Sequence, residues 1–221
     1  MANATYPPPI PGHGLVLRPW DAELVRQMAA WGERGFPYQA FDLGYLKDQQ
    51  RARTKLAWAR EAGPHRHFVA CEGSAAVGRL SVNVRDQAGL YLWGVHVPPE
   101  HEGRGICRRM MAALMEWLQR EYPASDFILT SNAFAEHARR AYLALGFEVT
   151  ETRWHHESDF ALQLWKVAPA ERESLSPFLR FANGRWEVRT YVMRRKRGAP
   201  MDLSLRRPDG VPSGSSRPGL G

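Results

Sequence analysis

The sequence predicts a mixed α/β domain of the α+β kind, with a mostly antiparallel central sheet flanked by helices. Three observations predict it. The strand-like runs His67 to Glu72, Ala76 to Val84 and Leu90 to Val97 follow one another across short turns, as an antiparallel meander does. Helical spacing of apolar residues flanks that meander, most clearly at Ile106, Met110, Leu114, Trp117 and Leu118. Near the C-terminal end, Asn183-Gly184 lies between two apolar runs, which is a strong hairpin signal.

Met1 to Gly14 is rich in proline and reads as a flexible arm. Leu15 to Arg18 is the first strand, and a helix follows from Asp21, a good N-cap, to Arg34. Gly35 to Tyr45 is irregular and aromatic. A second, weakly amphipathic helix fits Leu46 to Ala62 and ends at Gly63-Pro64. After the meander, with its turns at Glu72-Gly73-Ser74 and Asp86 to Gly89, a helix runs from the glycine-rich turn at 103–105 to about Glu121. Phe127 to Thr130 is the next strand and Ala135 to Leu145 the next helix, closed by Gly146. Phe147 to Arg153 begins another strand. Residues 154–176 read as an insertion, or else as a strand plus helix in which Phe160 to Trp165 pairs with a neighbour. The hairpin arms are Phe178 to Phe181 and Trp186 to Met193.

The length of 221 residues suits one domain, here 15–197, and 44% hydrophobic residues with eight tryptophans supply a core. No apolar run approaches a membrane span, and the N-terminus lacks the basic and apolar regions of a secretory signal. Two cysteines, Cys71 and Cys107, make neither a disulfide framework nor a zinc site, so a cytoplasmic location is expected. The net charge of +7 is concentrated at one end, because seven basic and two acidic residues lie between Arg194 and Gly221. Residues 198–221, rich in Gly, Pro and Ser, read as a basic disordered tail, either simply solvated or in weak contact with RNA or the ribosome.

The segment Val97-Pro-Pro-Glu-His-Glu-Gly-Arg-Gly-Ile-Cys107 carries the chemistry. It leads from a strand into an amphipathic helix whose first N–H groups lack intrahelical partners and stand at the positive end of the dipole. Such a turn holds phosphate, or serves only as a connection. It is not a P-loop, since no Lys-Ser or Lys-Thr follows the glycines. Nor does it fit a dinucleotide fingerprint, because Arg108 stands where the third glycine belongs.

The order of elements and two motifs resemble the GNAT superfamily of acyl-CoA-dependent N-acyltransferases, over about Leu15 to Met193. The first motif is similar to V-x-P-x-x-[QR]-x-x-G-x-[GA]: Val97, Pro99 and Gly105 match, Glu102 stands at the usual Gln or Arg, and Cys107 replaces the last Gly or Ala. The second, Asn132 followed by Ala138-x-x-x-Tyr142-x-x-x-Gly146-Phe147, resembles N-x(n)-A-x-x-x-Y-x-x-x-G-F. The opening Leu17-Arg-Pro-Trp-Asp21 and the hairpin Phe178 to Glu187 look like the RimJ/RimL branch, whose members acetylate protein N-termini among other amines.

The resemblance implies direct transfer of an acetyl group from acetyl-CoA to a primary amine. It implies that Val95 and Val97, with Gly103, Arg104, Gly105, Ile106, Cys107 and Arg108, receive the CoA arm and diphosphate, and that Asn132 contacts pantetheine. Tyr142 is then the acid that protonates the departing thiolate. The family's frequent acidic base is replaced by Tyr91, which leaves His96 as the nearest titratable group. Gly35 to Tyr45 falls where the family builds its acceptor pocket, and Phe36, Tyr38, Phe41 and Tyr45 either line it or cap the core; Tyr91 is a further substrate-site candidate. Without an acidic base, a low-pKa α-amine is favoured over lysine as acceptor. Remaining alternatives are acetylation of a small antibiotic or polyamine amine, and a non-catalytic acyl-CoA-binding or RNA-associated adaptor. Monomer and homodimer both stay open, and no metal is expected, because His155-His156 lacks ligand spacing.

Overall fold

The computed structural model describes residues 7–61, 63–84 and 89–204. Within them the strands are β1 (Ile10–Gly12), β2 (Leu15–Pro19), β3 (His65–Glu72), β4 (Ala75–Asn83), β5 (Leu90–His96), β6 (Phe127–Asn132), β7 (Glu148–His155), β8 (Leu179–Ala182) and β9 (Arg185–Arg195). The helices are α1 (Ala22–Ala29), α2 (Gln49–Arg60), α3 (Ile106–Glu121), α4 (Glu136–Ala144), α5 (Ser158–Leu164) and α6 (Pro169–Ser174). The sheet runs β1-β2-β3-β4-β5-β6-β9-β7, with β8 on β9. Every pairing is antiparallel except β5 with β6. The expected architecture is therefore present.

Strand alternation divides the core between the two faces of this sheet. Leu17, Phe68, Ala70, Leu80, Val82, Leu90 and Leu92 point to one face and bury Met110, Leu114 and Leu118 of α3 and Tyr142 of α4. Val69, Cys71 and Ala76 point to the other, against Trp20, Leu24, Val25 and Met28 at α1 and Ala59 of α2. Asp21 caps α1 by accepting from the Leu24 amide at 2.8 Å, and Asp48 caps α2 by accepting from Arg51 at 2.8 Å. At the hairpin, Asn183 and Gly184 both take positive φ, 53° and 74°, as a two-residue turn of the primed type requires.

Several expectations shift. The proline-rich start is ordered from Ile10, since β1 pairs with β2 and Gly12 lies against Ala113 of α3 with no space for a Cβ. The first helix ends at Ala29 rather than Arg34, and the second begins at Gln49, behind a 3₁₀ turn at Gly44–Lys47. Ala62 and most of the turn at 86–89 fall outside the described residues. Phe160 to Leu164 is helix, not strand: Phe160, Ala161 and Leu164 meet on one helical face against Phe134, Leu179 and Val188. Residues 198–204, assigned to the tail, lie on the domain. Arg195, 2% exposed, donates to the Leu145 carbonyl at 2.7 Å and to that of Ala199, and Met201 and Leu203 pack on the main core. The rest of the basic tail, 205–221, is outside the described residues, and the expected RNA contact lies there.

Candidate active site

The site is built where β5 leaves β6. The two strands form only three parallel pairs, Leu90 with Phe127, Tyr91 with Ile128 and Leu92 with Leu129. Beyond these β5 continues to His96 and β6 to Asn132 without further pairing, which opens a V-shaped cleft. β5 keeps its partner β4 on the other side, through a bulge. Ser81 faces Trp93 and Arg79 faces His96, so Leu80 stands opposite both Gly94 and Val95. Gly94 turns left-handed there (φ 59°). Backbone groups on the facing edges of a parted pair are free to bond an extended ligand, as an added strand would. A glycine within an apolar run was the signal for this bulge, and it went unread in the sequence.

At the wide end stands α3. Gly103 and Gly105 take φ of 74° and 69°, and the first intrahelical bond runs from the Arg109 amide to the Gly105 carbonyl at 3.0 Å. The amides of Ile106, Cys107 and Arg108 therefore precede the ladder. A Cβ built on Gly103 meets nothing within 4 Å, so the approach is open. This donor set fits a diphosphate. Ile106 itself is buried in the core, so only its backbone can serve.

Glu102 is turned out of the turn. It accepts from Arg34 Nη2 at 2.8 Å and from Nε at 3.0 Å, while the same guanidinium reaches the Val97 carbonyl and Asp42 Oδ1 at 3.2 Å. Glu100 accepts from the Gly32 amide at 3.3 Å. Residues 32–34, expected as the end of the first helix, instead clamp the phosphate turn from outside. Arg34 was missed because a basic residue after an amphipathic helix carries no signal of its partner. Arg104 is bound to Glu72 and His101, and Arg109 to Glu72 at 2.7 Å. Both arginines hold Glu72 well below the usual carboxylate range. Arg108, in no ion pair among the described residues, is a cation left beside the helix end.

Tyr142, 6% exposed, sits on α4 with its ring edge-on to Phe147 and close enough to Cys107 for their charges to interact. Its hydroxyl has no hydrogen-bond partner among the described residues. Burial, and secondarily Cys107, raises the phenol far above its ordinary value, so it stays protonated. Burial also pushes the Cys107 thiol up to about 12, which makes it a small packing residue rather than a nucleophile. Asn132 ends β6 on the opposite wall, opposite Thr190 of β9.

His96 is corrected as a base. It is 6% exposed and stacks on Trp31 at 5.5 Å, and Arg34 Nη1 lies 3.3 Å from Nδ1. Burial first, then Arg79 and Arg34, lowers its pKa to about 3. A group that weak takes few protons from an amine. Tyr91 lies in the closed part of the V, its hydroxyl 3.2 Å from Thr130 Oγ1 across the strands. Val95 and Val97 pack partly on the main core. Phe36, Tyr38 and Phe41 form a wall with Phe134 and Phe160, and Tyr38 donates to the Phe134 carbonyl at 3.3 Å. The 154–176 segment is thus the support of the aromatic loop. No cluster able to hold a metal, and no helix long and apolar enough to cross a membrane, occurs among the described residues.

A parted parallel pair beside a glycine-opened helix end is the arrangement that the resemblance to acyl-CoA-dependent transferases implies. The acetyltransferase (GNAT) family model matches residues 25–147, and the chain belongs to that family. Members of the family use acetyl-CoA. Among solved structures, spermidine N-acetyltransferase from Vibrio cholerae, in complex with CoA and spermine, is similar at 13% identity and TM-score 0.57. That match covers 84% of this chain and 97% of the other. RimL, the ribosomal L7/L12 α-N-protein acetyltransferase, is similar at 16% identity and TM-score 0.59, over 85% and 93%. A GNAT-family acetyltransferase from Bacillus anthracis is similar at 11% identity and TM-score 0.57, over 85% and 97%. These identities speak for the fold. No curated protein matches the sequence significantly.

Proposed function

We propose that this acetyltransferase moves the acetyl group of acetyl-CoA onto a primary α-amine by direct attack, as a member of the RimJ/RimL-like branch. The observation that carries the reading is the cleft between β5 and β6, followed by the unpaired amides at the start of α3, with Tyr142 close to Cys107 on that helix. Acetyl-CoA supplies an activated acyl carbon and a thiol leaving group. The parted edges of β5 and β6 hold its extended arm, with Asn132 on one wall. The amides of Ile106, Cys107 and Arg108, with the Arg108 charge, hold the diphosphate. Arg34 keeps the Glu102 carboxylate away from it. Tyr142 donates a proton to the departing sulfur and recovers one as the amine loses its own.

The acceptor follows from the weakness of His96. With no side chain fit to take the proton beforehand, the amine must arrive neutral. At pH 7.5 about one third of an α-amine (pKa ~7.8) is neutral, against about 0.1% of a lysine (pKa ~10.4). Thiol release measured on matched peptides with a free α-amine or a free lysine tests this. An α-amine advantage of about 10²-fold is expected, and faster turnover of lysine refutes it.

A further inference from the structure

The face of the cleft opposite α3, where α1, α2 and the aromatic loop lie, is lined by donors without acceptors. Arg79 of β4 is the centre of this. Its guanidinium lies against the bulge, with Nη1 3.3 Å from the position of a Cβ on Gly94, at the point where β5 departs from β6. It forms no ion pair among the described residues, and its Nε is buried without a hydrogen-bond partner. The same holds for Trp93 Nε1 and His96 Nε2, on the strand opposite. Lys55 of α2 stands over the Tyr45 and Trp58 rings at 5.9 and 5.1 Å, in no ion pair among the described residues. The acids of the loop are already committed: Asp42 to Arg34 and Glu33 to Lys47.

Arg79 is half-buried, with its Nε fully enclosed and unbonded, and a guanidinium partly withdrawn from water without a counter-charge gains from an anion brought to it. We propose that Arg79 reads a carboxylate on the acceptor, so that the substrates are amines bearing a carboxylate near the reacting nitrogen. This rests on the transferase reading and narrows it. The carboxylate is the side chain of a peptide beginning with Asp or Glu, whose α-amine keeps the low pKa that the transferase reading requires, as that of a free amino acid does not. A polyamine fits poorly, because its second cation would meet Arg79. The planar guanidinium suits a carboxylate fork, and Gly94 leaves its approach free of a side chain.

The test is thiol release from acetyl-CoA by the full chain with an Asp-initiated peptide and its Asn-initiated twin. Spermidine is the cationic control. The expected result is a preference of about 100-fold in kcat/KM for a carboxylate acceptor over its neutral twin. Arg79→Met is expected to abolish the preference, mainly through KM for the Asp-initiated peptide, while Arg79→Lys restores part of it. Calorimetry with CoA controls for folding, and Arg79→Gln replaces Arg79→Met if that variant does not bind. Equal use of the neutral twin or better use of spermidine overturns this proposal alone, as does a preference that survives loss of Arg79. A wild-type protein that neither binds CoA nor releases thiol overturns the transferase reading and this proposal together.

Discussion

Tyr142→Phe separates chemistry from packing. The phenol ring fills a core position between α3, α4 and Phe147, and phenylalanine keeps that ring. The lost hydroxyl has no protein partner among the described residues, so no hydrogen bond is broken. A hydroxyl desolvated without a partner costs about 1–3 kcal/mol, and cleft water offsets part of that. Stability should therefore hold or rise by up to about 1 kcal/mol, which is about 2–4 °C in Tm for a chain of this size. Activity should move the other way. Loss of a positioned general acid lowers kcat by about 10²–10⁴-fold, about 3–5 kcal/mol of barrier, with KM for acetyl-CoA little changed. Steady-state thiol release and a thermal melt on the same preparation read both. A kcat within threefold of wild type refutes the acid role, and a Tm falling with kcat reassigns Tyr142 to the core. Because the phenol pKa is raised, its contribution to stability is full below pH ~10 and lost only above it. Any alkaline limb in the rate below that pH must come from another group.

Cys107→Ala, which restores a residue of the family pattern, should keep kcat and KM within threefold, and the wild-type thiol should resist iodoacetamide at pH 8 because burial holds it protonated. Arg34→Met frees Glu102 beside the phosphate turn and leaves the buried Asp42 carboxylate unpaired. It should raise KM for acetyl-CoA about tenfold and cost about 3 kcal/mol in a denaturant melt, whereas an unchanged KM refutes the clamp. Buried His67 and His96 have pKa values lowered to about 4 and about 3. Depressed histidines bind protons in the unfolded chain first, so their stabilisation is full above pH ~6.5 and lost as pH falls towards 4 and below. From pH 8 to pH 5 the loss is about 2 kcal/mol for each, which urea melts at the two values will detect.

The parts legible in the sequence were those set by local chemistry. Asp21 and Asp48 cap helices, Asn183-Gly184 turns a hairpin, and the spacing of Tyr142 to Gly146 places that tyrosine in the core above its turn. Tertiary partners were not legible. Ile10 to Gly12 is a strand only because Leu15 to Leu17 pairs with it, and the prolines before and within it disguise it as an arm. Phe160 to Leu164 has apolar residues suited to either period, and the Phe134 and Phe36 rings decide for a helix. His96 alternates into the face that holds Arg79, Arg34 and Trp31, residues distant in sequence, and their combined effect removes it as a base.

The two departures from the family motif have a common physical resolution in packing. An acid at position 102 is tolerable only if a cation holds it away, and Arg34 does so while also bonding the carbonyl that ends β5. That one guanidinium links the aromatic loop, through Asp42, to the end of the cleft strand and to the glycine turn before α3. A ligand held at that turn would therefore be joined to the loop of Phe36, Tyr38 and Phe41 by a short, charged path rather than through the core. If that link is real, binding of CoA should slow amide hydrogen exchange in residues 35–45 as well as at the start of α3. In Arg34→Met the protection at α3 should persist while that at 35–45 disappears. Protection of both segments in the variant would show that the loop and the turn respond independently.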